Sequence, residues 1–63
     1  MIKHLAEVCR RILREESDQG KRSQIKEVYS LAIAEIEDGE DEGHEVEMAF
    51  DELEQLGYKV TED

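Results

Sequence analysis

Ile25-Lys26-Glu27-Val28-Tyr29-Ser30-Leu31-Ala32-Ile33-Ala34-Glu35-Ile36 is the stretch that decides the fold class. Ile25, Val28, Tyr29, Ala32 and Ile36 recur at spacings of three and four and so share one helix face, with Leu31 and Ile33 on its two edges. At ~100° per residue the apolar arc covers roughly 200°, wider than a helix lying on a protein surface requires. Such a helix packs against two neighbours. The pattern predicts a central helix over about 21–38, and Gly39 directly after it suits the left-handed position that closes a helix.

Working outward, Ile2, Leu5, Cys9 and Ile12 form a second stripe, with Ala6 and Leu13 beside them and Val8 on one flank. This predicts a helix over about 1–16, stopped by Ser17, Asp18 and Gly20, with Arg14 well placed for its C-terminal dipole. Asp18 or Ser23 reads as the start of the central helix. On the other side, an acidic loop over 39–43 leads to a third helix over about 44–56. Its apolar face is Val46, Ala49, Phe50, Leu53 and Leu56, with Asp41 or Glu42 suiting its N-terminus. Gly57 ends it, Tyr58 is expected to fold back on its last turn, and 59–63 reads as a frayed tail.

The expected fold is all-α: three short helices in a single small domain over 1–63. Short connections favour an antiparallel bundle, or a helical hairpin completed by oligomerisation. The expected core joins Ile2, Leu5, Cys9, Ile12 and Leu13 to Ile25, Val28, Tyr29, Ala32 and Ile36, and to Val46, Phe50 and Leu53.

Size and composition narrow the function classes. The chain has 63 residues, 41% of them charged, with no proline, one cysteine and a net charge of −10. Such acidity with few aromatics also suits a disordered chain, but the helical periodicity argues for folding. A domain this short removes only about 60% of its unfolded surface from water, which leaves little room for a deep, dry active site. A single cysteine makes no internal disulfide framework. No run nears the ~20 apolar residues of a membrane span, and the first residues lack the apolar stretch of a signal peptide. The expectation is a small soluble protein of the cytoplasm, with no membrane partner.

Motifs for chemistry fail one by one. Counted as a calcium loop from Asp38, the acidic positions fall on Asp38, Glu40 and Glu42 with Gly43 next. The twelfth position, where a bidentate glutamate is needed, is Ala49. His44-Glu45 begins like a zinc-protease motif, but Met48 stands where the second histidine belongs. His44 and Glu47 lie one turn apart, and two ligands do not make a structural site. His4 reads as a residue of the polar side of the first helix, and Cys9 as a small core residue. Ser17, Ser23 and Ser30 have no triad partners. Neither a catalytic role nor a cofactor is expected.

Charge placement is more informative. Residues 1–26 hold seven basic and four acidic side chains (net +3), while 27–63 hold Lys59 against fourteen acids (net −13), which together return the total of −10. The central helix begins with Lys21, Arg22 and Lys26 and ends with Glu35, Glu37 and Asp38, so both ends oppose its macrodipole. Each such charge costs from a few tenths to about 1 kcal/mol at exposed sites. Antiparallel neighbours that neutralise these charges are one explanation; a partner facing them is the other. Two candidate surfaces follow. Arg10, Arg11, Arg14, Lys21 and Arg22 are expected around the first turn, as a contact for phosphate or an acidic protein. Glu47, Asp51 and Glu54 form an acidic ladder on the third helix, with Glu45 and Glu52 on its opposite flank and Met48 between as an anchor. Nucleic acid is disfavoured by the net charge.

Ala34-Glu35-Ile36-Glu37-Asp38-Gly39, followed by Glu45-Val46 and Glu52-Leu53, resembles helical segments of small bacterial antitoxins. It is also similar to the short acidic helical proteins that bacteriophages encode to disable host enzymes. The resemblance covers about 33–58 and implies a binding protein, with no residue roles to carry over. The expected function is thus a small acidic protein-interaction module, of phage or mobile-element type, that binds and modulates a host protein with a basic surface. An antitoxin-like neutraliser is one alternative, and nucleic-acid binding through the basic corner is another. A homodimer is also expected, since two short helices leave Leu31 and Ile33 of the central one poorly covered.

Overall fold

Two aspartates and two glycines delimit the second and third helices. In a computed structural model that describes residues 2–60, α1 spans Ile2–Glu15, α2 spans Gln19–Glu37 and α3 spans Glu42–Gln55. The Asp18 carboxylate accepts the Lys21 N–H (2.9 Å) and the Asp41 carboxylate accepts the His44 N–H (2.9 Å), each satisfying a donor that the first helical turn leaves unpaired. Asp18 rather than Ser23 is therefore the cap. It starts α2 at Gln19, two residues ahead of the expected boundary, and brings Gly20 inside the helix. Asp41 likewise starts α3 at Glu42 and shortens the expected loop.

Both glycine expectations hold, each for a geometric reason. Gly39 and Gly57 take φ of 105° and 100°, a region costly for any residue with a Cβ. After α2, Gly39 donates to the Ile36 carbonyl and Glu40 to the Glu35 carbonyl. After α3, Gly57 donates to Glu54 and Tyr58 to Leu53. These are paired Schellman closures, and they satisfy carbonyls that the helix ends would leave open.

Each helix packs against the other two around one core of Leu5, Val8, Cys9, Ile12, Ile25, Ala32, Val46, Ala49 and Leu53. No strand is present among the described residues. The radius of gyration is 11.1 Å, against about 11 Å for a folded domain and about 24 Å for an unfolded chain of this length.

The core differs from the expected one in a consistent way. Val8 and Ala49 are fully buried, whereas Ile2, Leu13, Val28, Tyr29, Ile36 and Phe50 are half-buried around the rim. With three short helices, only the residues on the shared axis are enclosed from every side. The buried stripe of α3 is Val46, Ala49 and Leu53, and Phe50 lies one position round toward α1. There it meets His4 edge-on, ring centroids 5.5 Å apart at 75°. His4 is half-buried at this contact rather than on a polar face.

The last described residues are held. The Arg11 guanidinium donates to the Lys59 carbonyl and Val60 packs on the core; Thr61, Glu62 and Asp63, the rest of the expected frayed tail, lie outside the described residues.

Candidate functional site

The five residues of the basic corner divide by task. Arg22, near the start of α2, donates to the Leu13 and Glu16 carbonyls, the second at 3.1 Å. Those carbonyls belong to the end of α1, where unpaired acceptors and the negative dipole end favour a cation. Arg22 thus closes the neighbouring helix, which accounts for one of the three cations placed against the α2 dipole. Arg11 is bound to the C-terminal segment. Lys21 acts on Glu16 through its charge. Arg10 and Arg14 are exposed on α1, beside Arg11 and Glu7 around a shallow hollow.

Glu16 joins a second contact. The Tyr58 hydroxyl donates to its Oε1 at 2.5 Å, while its Oε2 accepts the Asp18 N–H at 3.1 Å. The Tyr58 bond leads in holding the Glu16 carboxyl below its ordinary value, helped by the Asp18 N–H. The same bond pushes the Tyr58 phenol up to about 12. Tyr58 therefore does more than fold back on α3: it fastens the end of α3 to the end of α1.

On α3 the ladder residues Glu47, Asp51 and Glu54 are all exposed, as is His44. They lie on the flank beside Phe50. Met48 projects elsewhere, toward α2. At 46% exposure it stands with Leu31 (55%) and Leu56 (38%) as the large apolar side chains most open to water. Two adjoining hollows of about 340 and 210 Å³ run between α2 and α3, and both are lined by Val28, Leu31 and Glu52. Leu56 lines the first and Met48 the second. Glu27, Glu35 and Glu45 complete an acidic rim. Sequence reasoning assigned Leu56 to the core face and Met48 to the acidic ladder; the groove puts both with Leu31. The signal was the width of the α2 arc, whose Leu31 edge is the one left open, while Ile33 is half-buried.

Cys9 is buried, and desolvation raises its thiol to about 11, which keeps it in the unreactive protonated form at neutral pH. Among the described residues, no three His, Cys, Asp or Glu side chains gather as a metal set, and no helix is long and apolar enough to cross a membrane.

No family model, no curated protein and no solved structure matches this chain.

Proposed function

We propose that this protein is a small acidic interaction module of the cytoplasm that binds a protein with a basic surface and modulates it by occlusion. This is the role that the resemblance of residues 33–58 to short acidic phage-encoded helical proteins would imply. The observation that carries the reading is α3 itself, which bears six carboxylates and no lysine or arginine over Glu42–Gln55. Glu47, Asp51 and Glu54 follow one another at four and three residues on one exposed flank. Like charges at those spacings repel by a few tenths of a kcal/mol per pair. Dispersed acids would keep a small protein soluble at lower cost, whereas concentrated acids speed encounter with a basic partner.

An antitoxin-like neutraliser would use the same face, and the identity of the bound protein separates the two. Nucleic-acid binding is less favoured because Arg11 and Arg22 are engaged within the fold. That leaves Arg10, Arg14 and Lys21 against a net charge of −10.

The test is affinity purification from the native cell with mass spectrometry, run in parallel on the wild type and the Glu47→Lys/Asp51→Lys/Glu54→Lys variant. A basic protein recovered by the wild type and reduced at least about tenfold with the variant is the expected result. Equal recovery by both would remove the ladder from the binding face.

A further inference from the structure

The α2–α3 groove has the chemistry of a helix-binding cleft. Its floor is apolar, with Val28, Ala32 and Ala49 beneath the exposed side chains of Leu31, Met48 and Leu56. The two alanines are buried, and small side chains on a helix contact leave a cleft between the larger side chains outside them. From Gln24 at one end to Glu35 at the other it follows α2 for about 16 Å at 1.5 Å per residue. That is the length of three turns of a helix.

The rim decides the occupant. Glu27 and Glu35 border the cleft from α2, Glu45 and Glu52 from α3, and no lysine or arginine lines either hollow among the described residues. A second copy of this chain docked face to face would set these carboxylates against their own counterparts around an apolar centre. Burial of the centre would strengthen that repulsion by excluding water. A wholly apolar segment would bury the leucines and leave the carboxylates uncompensated. An apolar ridge with cations on both sides satisfies floor and rim together, and an amphipathic helix with leucine-like anchors at i, i+3 or i+4, and i+7 provides that layout in about two turns, within the three that the cleft can hold.

We propose that the α2–α3 groove seats a basic amphipathic helix of the partner, its apolar anchors on Leu31, Met48 and Leu56 and its lysines or arginines over the four rim glutamates. The proposal rests on the interaction-module reading and specifies its partner. It places apolar recognition in the groove and leaves Glu47, Asp51 and Glu54, on the far flank of α3, to accelerate encounter.

The purified full chain can be titrated with two synthetic leucine–lysine peptides of identical length and composition. One carries its leucines at helical spacing and the other carries them scrambled, with amide NMR shifts recorded throughout. The helical-spacing peptide is expected to bind at least about tenfold more tightly, with shifts centred on Val28, Leu31, Met48 and Leu56. The exposed-site variant Leu31→Gln/Met48→Gln should fold normally and lose that preference, while Glu47→Gln/Asp51→Gln/Glu54→Gln should keep it. Equal affinity for both peptides would overturn the proposal, as would shifts centred on the Glu47–Asp51–Glu54 flank. A wild-type dimer that Leu31→Gln/Met48→Gln converts to monomer would overturn it in favour of a second copy. Capture of the native partner that survives Leu31→Gln/Met48→Gln but not the ladder variant would sustain the module reading and reject the groove. Selective peptide binding without any native partner would do the reverse.

Discussion

The Tyr58 hydroxyl donates to Glu16 Oε1 at 2.5 Å, joining residues 42 apart in sequence and fixing the chain leaving α3 against the end of α1. Only one Schellman closure separates Tyr58 from the core residue Leu53, so the bond transmits directly to the packing of two helices. Its two partners titrate in opposite directions, and this gives stability a signature at each end of the pH scale. The Tyr58 phenol is raised to about 12 when folded. Its contribution is complete below the ordinary tyrosine value near 10 and is lost as pH rises toward 12. The Glu16 carboxyl is lowered on folding, so its contribution is present above the ordinary glutamate value and is lost as pH falls through the depressed one. Tyr58→Phe should lower the melting temperature at pH 7 and flatten part of the wild-type decline between pH 10 and 12. Thermal melts of both proteins across that range measure the difference. An unchanged alkaline profile would place no stabilising bond there.

Leu53 and Phe50 test the assignment of the core. Leu53 has no exposed surface, while Phe50 is half-buried at the His4 contact. Leu53→Ala should cost about 2–5 kcal/mol, the range for fully buried leucines. At ~0.05–0.15 kcal/mol per residue, a chain this size has about 3–9 kcal/mol of stability, so the loss takes a large share of it. The melting temperature followed by circular dichroism is therefore expected to fall steeply, with Phe50→Ala losing less. The reverse order would exchange their places in the core.

Gly57 and Gly39 end their helices at positive φ, and a Cβ on either would meet no atom within 4 Å. Any loss on substitution is thus conformational rather than steric crowding by the neighbours. Gly57→Ala and Gly39→Ala should each cost about 1–2 kcal/mol in urea denaturation. Gly57→Ala should also weaken the alkaline signature of Tyr58, because it misdirects the residue that follows.

Capping by side chains separates structural from surface charges. Asp18→Ala should cost about 1 kcal/mol through loss of the α2 cap. Arg22→Ala should lower the melting temperature as the carbonyls closing α1 lose their donor. Arg10→Ala, on an exposed site, should stay within about 0.5 kcal/mol of wild type. Melts of the three variants in one buffer decide the point, and equal behaviour of Arg22 and Arg10 would return Arg22 to the solvated corner.

The helices were legible because their periodicity is local. Ile25, Ala32, Leu5, Val46 and Leu53 could be placed on core faces from spacing alone, and Gly39 and Gly57 marked ends that φ later explained. What spacing does not carry is the angle at which helices meet. That angle made Val8 a core residue, left Phe50 at the rim beside His4, and opened Leu31, Met48 and Leu56 into one groove. The long-range polar pair was equally hidden, since nothing near Tyr58 in sequence announces Glu16, 42 residues away, as its partner, and for Arg22 the charge pattern suggests a neighbouring helix without naming the Leu13 carbonyl. Asp18 shows a nearer limit: spacing leaves the start of α2 open between Asp18 and Ser23, and only the Asp18 cap brings Gly20, a stop signal by type, inside the helix.

The most direct test of the central claim, that the acidic surface is a binding face, is the association rate constant with the protein recovered from the native cell, measured over a series of salt concentrations. Screening lengths shorten from about 30 Å at 0.01 M salt to about 8 Å at 0.15 M. Wild-type association should therefore slow steeply over that range, and the Glu47→Lys/Asp51→Lys/Glu54→Lys variant should start slower and lose most of the salt dependence. A rate indifferent to salt, or a variant that associates as fast as the wild type, would contradict the account.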